Sequence, residues 1–369
     1  MTASPTMSFP SYTQPLGAVR VPVGWLLEHG SWAVRARVLA DLGVGDAAAA
    51  TATAMPYAHA PALRLAVQEG RDGTWGGRML ALPAPGDKDF AGVGTVPAVR
   101  RLLEWGWEPS APTFYTARKV LFRLLAEDDD PSSLYELRRE AMDEFTTRRA
   151  RAMIREGAAA ALAHLGHEAD PRLRGAAVRM LERVATFLRS PTSAEVLAAE
   201  GPLPAGAALP SAHFLVMLAH MPRFRMEHHE EMDRIYGLLS EPGRSGTVRQ
   251  LVGGKSMEQP HLLRGDPMAS RGDDAASLPT TLAWLEVLAR LGFLQRNASW
   301  SAELDRLLVA RDMAGIWRGR ASKLGTPSDA WSWPTFPLSD PAEKDAWTAD
   351  VTFRLALVAR LAGRPLELE

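Results

Sequence analysis

The amino-acid sequence predicts an all-α protein, and three observations carry that reading. Apolar residues recur at three- and four-residue spacing in segment after segment, strand-like alternation is scarce, and several periodic segments open on helix-capping residues. The connections then alternate between short turns, such as Leu165 to Pro171, and long Gly/Pro-rich stretches at 71–94, 190–210, 241–278 and 313–346. Loops that long are uncommon in a simple bundle and usually carry function. Among about a dozen helices, this alternation fits a closed α/α toroid of about six helical hairpins around a central cavity, with an open solenoid as the alternative. Residues 1–18 are expected to form a loose leader and residues 19–369 a single toroid domain.

In chain order, periodicity places helices at 22–29, 31–43, 59–70, 95–105 and 111–127. Asp130-Pro131-Ser132-Ser133 opens the longest, 132–165, with capping groups and a proline whose missing N–H is harmless in a first turn; Gly166 supplies a left-handed stop. In it, Glu144 and Arg148 pair at i,i+4 on a charged face with Glu140 and Arg151, while Leu134, Leu137, Ala141, Phe145 and Ile154 mark the apolar side. Asp170-Pro171 opens 171–189, whose stripe is Val178, Leu181, Ala185 and Leu188. Helices at 211–221 and 228–240 are separated by Pro222, and others follow at 279–293, 300–312 and 347–362.

Composition excludes several chemistries. The net charge of −1 removes the electrostatic basis for general nucleic-acid binding. With no cysteine, disulfides, zinc–thiolate sites and thiol nucleophiles are out of reach. No run of about 18 uncharged apolar residues and no basic start followed by an apolar stretch is present, so a soluble, cytoplasmic protein without an integral membrane segment is expected. Gly-x-Ser-x-Gly, Walker and dinucleotide-binding motifs are missing; Val252-Gly253-Gly254-Lys255-Ser256 lacks the strand and spacing of a phosphate loop.

Three strings share the form Gly-x-Trp: Gly30-Ser31-Trp32, Gly73-Thr74-Trp75 and Gly315-Ile316-Trp317. The second follows an apolar helix and Gln68, in LRLAVQEGRDGTWGG; the third follows an apolar helix and Arg311, in LLVARDMAGIW. Glycine permits a positive φ at the helix exit, and the indole folds back to clamp neighbouring hairpins, its N–H available to a carbonyl. These strings resemble the helix-Gln-x3-Gly-x-Trp repeats of the terpene cyclase and protein prenyltransferase superfamily. Gln68 stands one residue too far from Gly73, Arg311 replaces the glutamine of the third string, and the first lacks a polar counterpart. The resemblance implies an α/α toroid with an isoprenoid-sized apolar cavity.

It does not carry the family's chemistry across intact. The Asp-x-Asp-Asp acid motif of squalene-cyclase-like enzymes is absent, and in the nearest string, Arg271-Gly272-Asp273-Asp274, a cation replaces the first aspartate and would lower the pKa of Asp273. The Asp/Cys/His zinc site of the prenyltransferases has no cysteine to use.

The densest polar grouping is Leu218 to Asp233, with His220, Arg223, Arg225, Glu227, His228 and His229, and with His261 beyond a Gly-rich loop. Its arginines suit a diphosphate or carboxylate, with His220 or His228 as acid or base; an ion-pair network between helices is the bland alternative, and a metal held by His229, Asp233 and His261 a third. Trp25, Trp32, Trp75, Trp284, Trp333 and Trp347 suit a cavity wall or core packing, and Trp331-Ser332-Trp333-Pro334 reads as a lid or wall. Asp350 reads as a capping carboxylate or a cavity-facing acid, and Glu286 as the i,i+4 partner of Arg290.

The leading expectation is a terpene-cyclase-like protein binding an isoprenoid or other apolar small molecule, with Asp273 or Asp350 as proton donor if it is catalytic. Catalytic candidates are thus Asp273, Asp350 and His220; substrate-binding candidates are Trp25, Trp32, Trp75, Arg223, Arg225, Glu227, His228, His261, Trp284 and Trp333. No cofactor or metal is expected. The alternatives are a non-catalytic lipid-binding or scaffold toroid and a carbohydrate-active α/α barrel with two carboxylates in one pocket.

Overall fold

Most of the described residues are helical, as the three- and four-residue periodicity requires. The computed structural model describes residues 17–45, 50, 52–84, 89–126, 130–140, 142–243, 247–269, 276–320, 324–340 and 343–369. The elements are β1 (Val19–Val21), α1 (Val23–His29), α2 (Trp32–Asp41), a 3₁₀ turn (Met55–Ala58), α3 (Ala60–Ala66), α4 (Thr95–Glu104) and α5 (Thr113–Leu124). A second 3₁₀ stretch (Pro131–Leu137) precedes α6 (Glu144–His164), α7 (Pro171–Arg189), α8 (Ser193–Ala198), α9 (Ala212–Ala219), α10 (Pro222–Glu227) and α11 (His229–Ser240). Then come β2 (Val248–Val252), β3 (Lys255–Gln259), α12 (Leu278–Arg290), α13 (Ala298–Val309), α14 (Ala346–Leu361) and β4 (Leu366–Leu368).

The packing follows burial. Helices α4 and α9 are buried along their whole length, and α12 and α14 nearly so. In contrast, α5, α7 and α11 each bury a single stripe and show the other face to solvent. The deep helices touch in a closed circuit: α2 meets the Met55–Ala58 turn, which meets α3, then α4, α6, α9, α12 and α14, and α14 returns to α2. The less buried helices pack against this circuit, α1 on α2 and α14, α5 on α6, α7 on α6 and α9, and α13 on α14. Small residues let α6 sit among so many neighbours: a Cβ on Gly157 would lie 2.5 Å from Leu80 Cδ2, and Ala158 to Ala161 are fully buried. Among the described residues no helix is long and apolar enough to cross a membrane.

Four sequence expectations need correction. The 132–165 helix is two elements, because Asp143, not Asp130, caps α6 by accepting from Thr146 N, while Asp130 caps the 3₁₀ stretch through Ser132 N. Phe145, assigned to the apolar side of that helix, is 54% exposed. The 190–210 stretch contains α8, and 241–278 contains the antiparallel β2–β3 hairpin, whose Gly253-Gly254 turn has φ of 56° and 79°. A Gly-Gly pair with both φ positive is the backbone of a tight hairpin, which is the structural role of the string that superficially resembled a phosphate loop. Strands also join distant parts of the chain: β1 pairs in parallel with β4, Val19 opposite Leu366.

Two of the three Gly-x-Trp strings form the same turn. Gly70 N donates to Thr74 O at 2.8 Å and Gly73 N to Gly70 O at 2.9 Å; Asp312 N donates to Ile316 O and Gly315 N to Asp312 O, both at 2.9 Å. Bridges pair Glu69 with Trp75 and Arg311 with Trp317, so Glu69, not Gln68, is the counterpart of Arg311. Gly73 and Gly315 take φ of 78° and 79°, whereas Gly30 is extended at −76° and belongs to a different turn. Each indole-bearing residue then donates its backbone N–H to a threonine of a deep helix, Trp75 to Thr95 Oγ1 at 3.2 Å and Trp317 to Thr352 Oγ1 at 3.0 Å. Trp75 Nε1 also donates to Leu65 O at 2.8 Å, the clamp expected for the repeat.

Candidate functional site

An ionised group persists in a dry interior only when it is paired. The deep helices carry several such groups, and one cluster draws on six of those helices. Arg37 comes from α2, Glu104 from α4, His164 from α6, His220 from the C-cap of α9, Glu286 and Arg290 from α12, and Arg354 from α14. Arg354 Nη1 donates to Glu286 Oε2 at 2.5 Å, and its Nη2 donates to Glu104 Oε2 and to Thr335 O, both at 2.6 Å. Arg37 Nη1 reaches Glu104 Oε2 at 3.0 Å and the Glu104 carbonyl at 2.8 Å, while its Nε donates to Asp41. Arg290 grips Glu286 Oε1 through Nε and Nη2 at 3.0 and 2.9 Å, the i,i+4 pair expected from the sequence. Glu104, His164, His220 and Arg290 all lie at helix C-termini, where the dipole favours the cationic members.

Burial and pairing set the protonation states. Burial pushes the Glu104 carboxyl up, but Arg354 and Arg37 outweigh it and hold the group well below the ordinary carboxylate range. Glu286 follows the same balance, burial opposed by Arg354 and Arg290, and is also lowered. Burial works the other way on the imidazoles: His164 is pulled down to about 3 and His220 well below its ordinary value, the neighbouring arginines adding to the effect. Two neutral rings therefore stack, centroids 4.1 Å apart, with His164 Nε2 at 3.8 Å from Glu104 Oε1.

The loop after α13 closes one side of this cluster. Arg100 donates to Trp331 O at 2.7 Å, and Arg101 to Trp333 O at 2.5 Å, to Phe336 O at 3.0 Å and to Pro337 O. Trp331, Trp333, Phe336 and Leu338 are buried, and Thr335 O is the carbonyl that reaches Arg354. Asp350 anchors the far end, accepting Leu338 N at 2.7 Å, Ser339 N at 3.1 Å and Ser339 Oγ at 2.6 Å. On another side the cluster borders a cleft of about 370 Å³ lined by Arg37, Asp41, His164, His220, Arg290 and Trp107. His164 Nδ1 and Trp107 Nε1 are buried there without a hydrogen-bond partner among the described residues.

The candidates named from the sequence scatter across the molecule. His220 reaches the cleft, Trp333 belongs to the loop that closes the cluster, and Asp350, on α14, anchors that loop. Asp350 is not the cap of α14, since Asp345 holds that position; its carboxyl is raised by burial, against the pull of the Ser339 bonds. Asp273 lies outside the described residues. Arg225 caps α9 through Leu218 O at 2.6 Å, Glu227 pairs with Arg174, and His228 packs on the Phe224 ring at 4.3 Å, while Arg223 is exposed. That segment holds helices together and is not gathered around one point. His261 instead meets Arg149 Nη2, its Nε2 at 2.5 Å. Trp75 is fully buried in its turn, Trp284 packs on Trp331 with centroids 4.1 Å apart, Trp25 stacks on His29, and Trp32 is 43% exposed. Among the described residues no three His, Asp or Glu side chains are grouped to hold a metal.

Sequence reading passed over Arg37, Glu104, His164 and Arg354. A signal was present in Arg354, the one charged residue in the apolar stretch Val351 to Ala359, and in Glu104, which follows Leu102-Leu103 at the end of a helix that also carries Arg100 and Arg101. Comparison with known proteins gives no matching family model, no matching curated protein and no matching solved structure.

Proposed function

We propose that the chain is a non-catalytic α/α toroid, similar to the terpene cyclase superfamily in its ring of helical hairpins, whose centre is closed by protein groups and which meets ligands or partners from outside. The closed circuit of deep helices and the two equivalent Gly-x-Trp turns support the toroid. The observation that carries the function is Arg354, 2% exposed, bridging Glu104 and Glu286 where an acid-initiated cyclase needs an apolar void. Charged groups that neutralise one another supply neither an apolar wall nor an unpaired acid. Asp350, a sequence candidate for the proton donor, accepts three hydrogen bonds with its two oxygens, which commits the carboxyl to Leu338 and Ser339 of its own chain.

Incubation with prenyl diphosphates and with squalene, followed by mass spectrometry, tests this reading. The expected result is no new product and no isoprenoid released when the purified protein is denatured. Turnover of either substrate, or a co-purifying isoprenoid, overturns it.

A further inference from the structure

On the outer side of α6 lies a pocket of about 330 Å³ with an unusual charge balance. Arg148, Arg149 and Arg183 line it, together with apolar and uncharged residues, and no acidic side chain does. Arg148 and Arg183 have carboxylate partners, Glu144 and Glu156. Arg149 does not: its Nε donates to Gln259 Oε1 at 2.9 Å and its Nη2 meets His261 Nε2 at 2.5 Å, both neutral groups. Burial and Arg149 itself keep His261 uncharged, down at about 3, so the ring orients the guanidinium without cancelling its charge. Gln259 is 3% exposed and sits at the end of β3, and Gln250 on β2 ties down the 204–207 segment by donating to Ala207 O at 2.7 Å. The guanidinium is thus held by a neutral frame and makes no ion pair with a carboxylate among the described residues, the charge of Glu156 reaching it only without direct contact.

We propose that this pocket binds a small oxyanion carrying an apolar body, an organic carboxylate or phosphomonoester. Arg149 supplies the central charge. Its planar fork suits either head group, and Arg183 and Arg148 add donors around it. Leu209, Leu251, Val252 and Leu262 give the body an apolar wall, and half-exposed Phe145 stands at the mouth. A volume of about 330 Å³ sits at the small end of ligand pockets and fits a head group with one ring or a short chain. The inference holds whether or not the ring interior is catalytic, because none of these residues belongs to the central cluster.

Titration calorimetry of the full chain with phenyl phosphate, benzoate and, as neutral control, benzyl alcohol tests it. At least one anion is expected to bind ten-fold or more tighter than benzyl alcohol, with affinity falling as salt rises; the stronger of the two identifies the head group. Arg149→Gln is expected to weaken that binding at least ten-fold. Arg148→Gln, at an exposed position that leaves the fold intact, is expected to weaken it about three-fold through lost surface attraction. Equal affinity for anions and the alcohol, no measurable anion binding, or unchanged anion affinity in both variants overturns the proposal. Prenyl diphosphate turnover is read in a separate assay, so the two readings fail independently.

Discussion

Arg354 and Glu104 meet at 2.6 Å, one 2% and the other 3% exposed, although 250 positions separate them in the chain. The contact links α14 to α4 across the deep circuit, and Glu286 on α12 completes it from a third helix. Removing Arg354 leaves Glu104 with Arg37 and Glu286 with Arg290 as the cations that still bond them, a buried excess of negative charge that costs more than the pair itself contributes. Arg354→Met is therefore expected to destabilise the fold by about 3–5 kcal/mol in urea denaturation. Adding Glu104→Gln and Glu286→Gln to that variant is expected to restore part of the loss. Equal stability of the single and triple variants would show that the pair is not the source of the effect.

The same cluster sets the response to acid. Glu104 and Glu286 have folded pKa values below their ordinary 4.5, so their stabilisation is complete above about pH 4.5 and is lost as pH falls through the lowered folded values. His164 and His220 are neutral in the fold but protonate near 6.5 once unfolded, so the unfolded chain takes up more protons as pH falls below about 6.5, for His164 down to about 3. Both effects have one sign. The urea midpoint is expected to decline from about pH 6.5 downward and more steeply below about 4.5. His164→Gln should flatten the upper part alone, and ring signals of both histidines in NMR should not titrate between pH 8 and 5.

The paired turns make glycine replacements diagnostic. A Cβ on Gly73 would sit 2.6 Å from Thr116 C, and one on Gly315 2.7 Å from Arg20 O, each at a φ that side chains rarely adopt. Gly73→Ala and Gly315→Ala are each expected to cost more than about 1 kcal/mol. Gly237→Ala, in α11 with open space around it, is expected to stabilise by about 0.5–1 kcal/mol. Thermal melts of the three variants check the ordering.

Asp350 offers a test of structural against chemical function. Asp350→Asn keeps one acceptor oxygen but turns an NH₂ toward donors from Leu338 and Ser339, so a loss of about 1–3 kcal/mol is expected. Chemical denaturation measures it, and an unchanged midpoint would remove Asp350 as the anchor of the closing loop.

Local order was legible wherever one short segment determines it. Asp170 caps α7, Glu286 grips Arg290 one turn away, and Gly73 exits its helix with positive φ, all read from neighbours within a few residues. The division at Asp143 was missed because two aspartates, Asp130 and Asp143, offer equal capping chemistry and only packing chooses between them. The tryptophans read as cavity wall or core packing because residue type alone does not tell a ring that lines a void from one that fills it; Trp333 is of the second kind, held under the Arg101 guanidinium at 4.5 Å.

The periodicity of its side chains was enough to make this chain helical, since helix formation depends on spacing along the backbone. The character of the interior was settled by how the helices pack on one another. A solitary arginine or glutamate in an apolar helix is only a penalty until the helix that answers it is placed beside it, and Arg37, Glu104, Glu286 and Arg354 are answered by residues tens to hundreds of positions away. Electrostatic pairing acts through space at a few ångströms, and that distance is defined only once the helices have closed on one another.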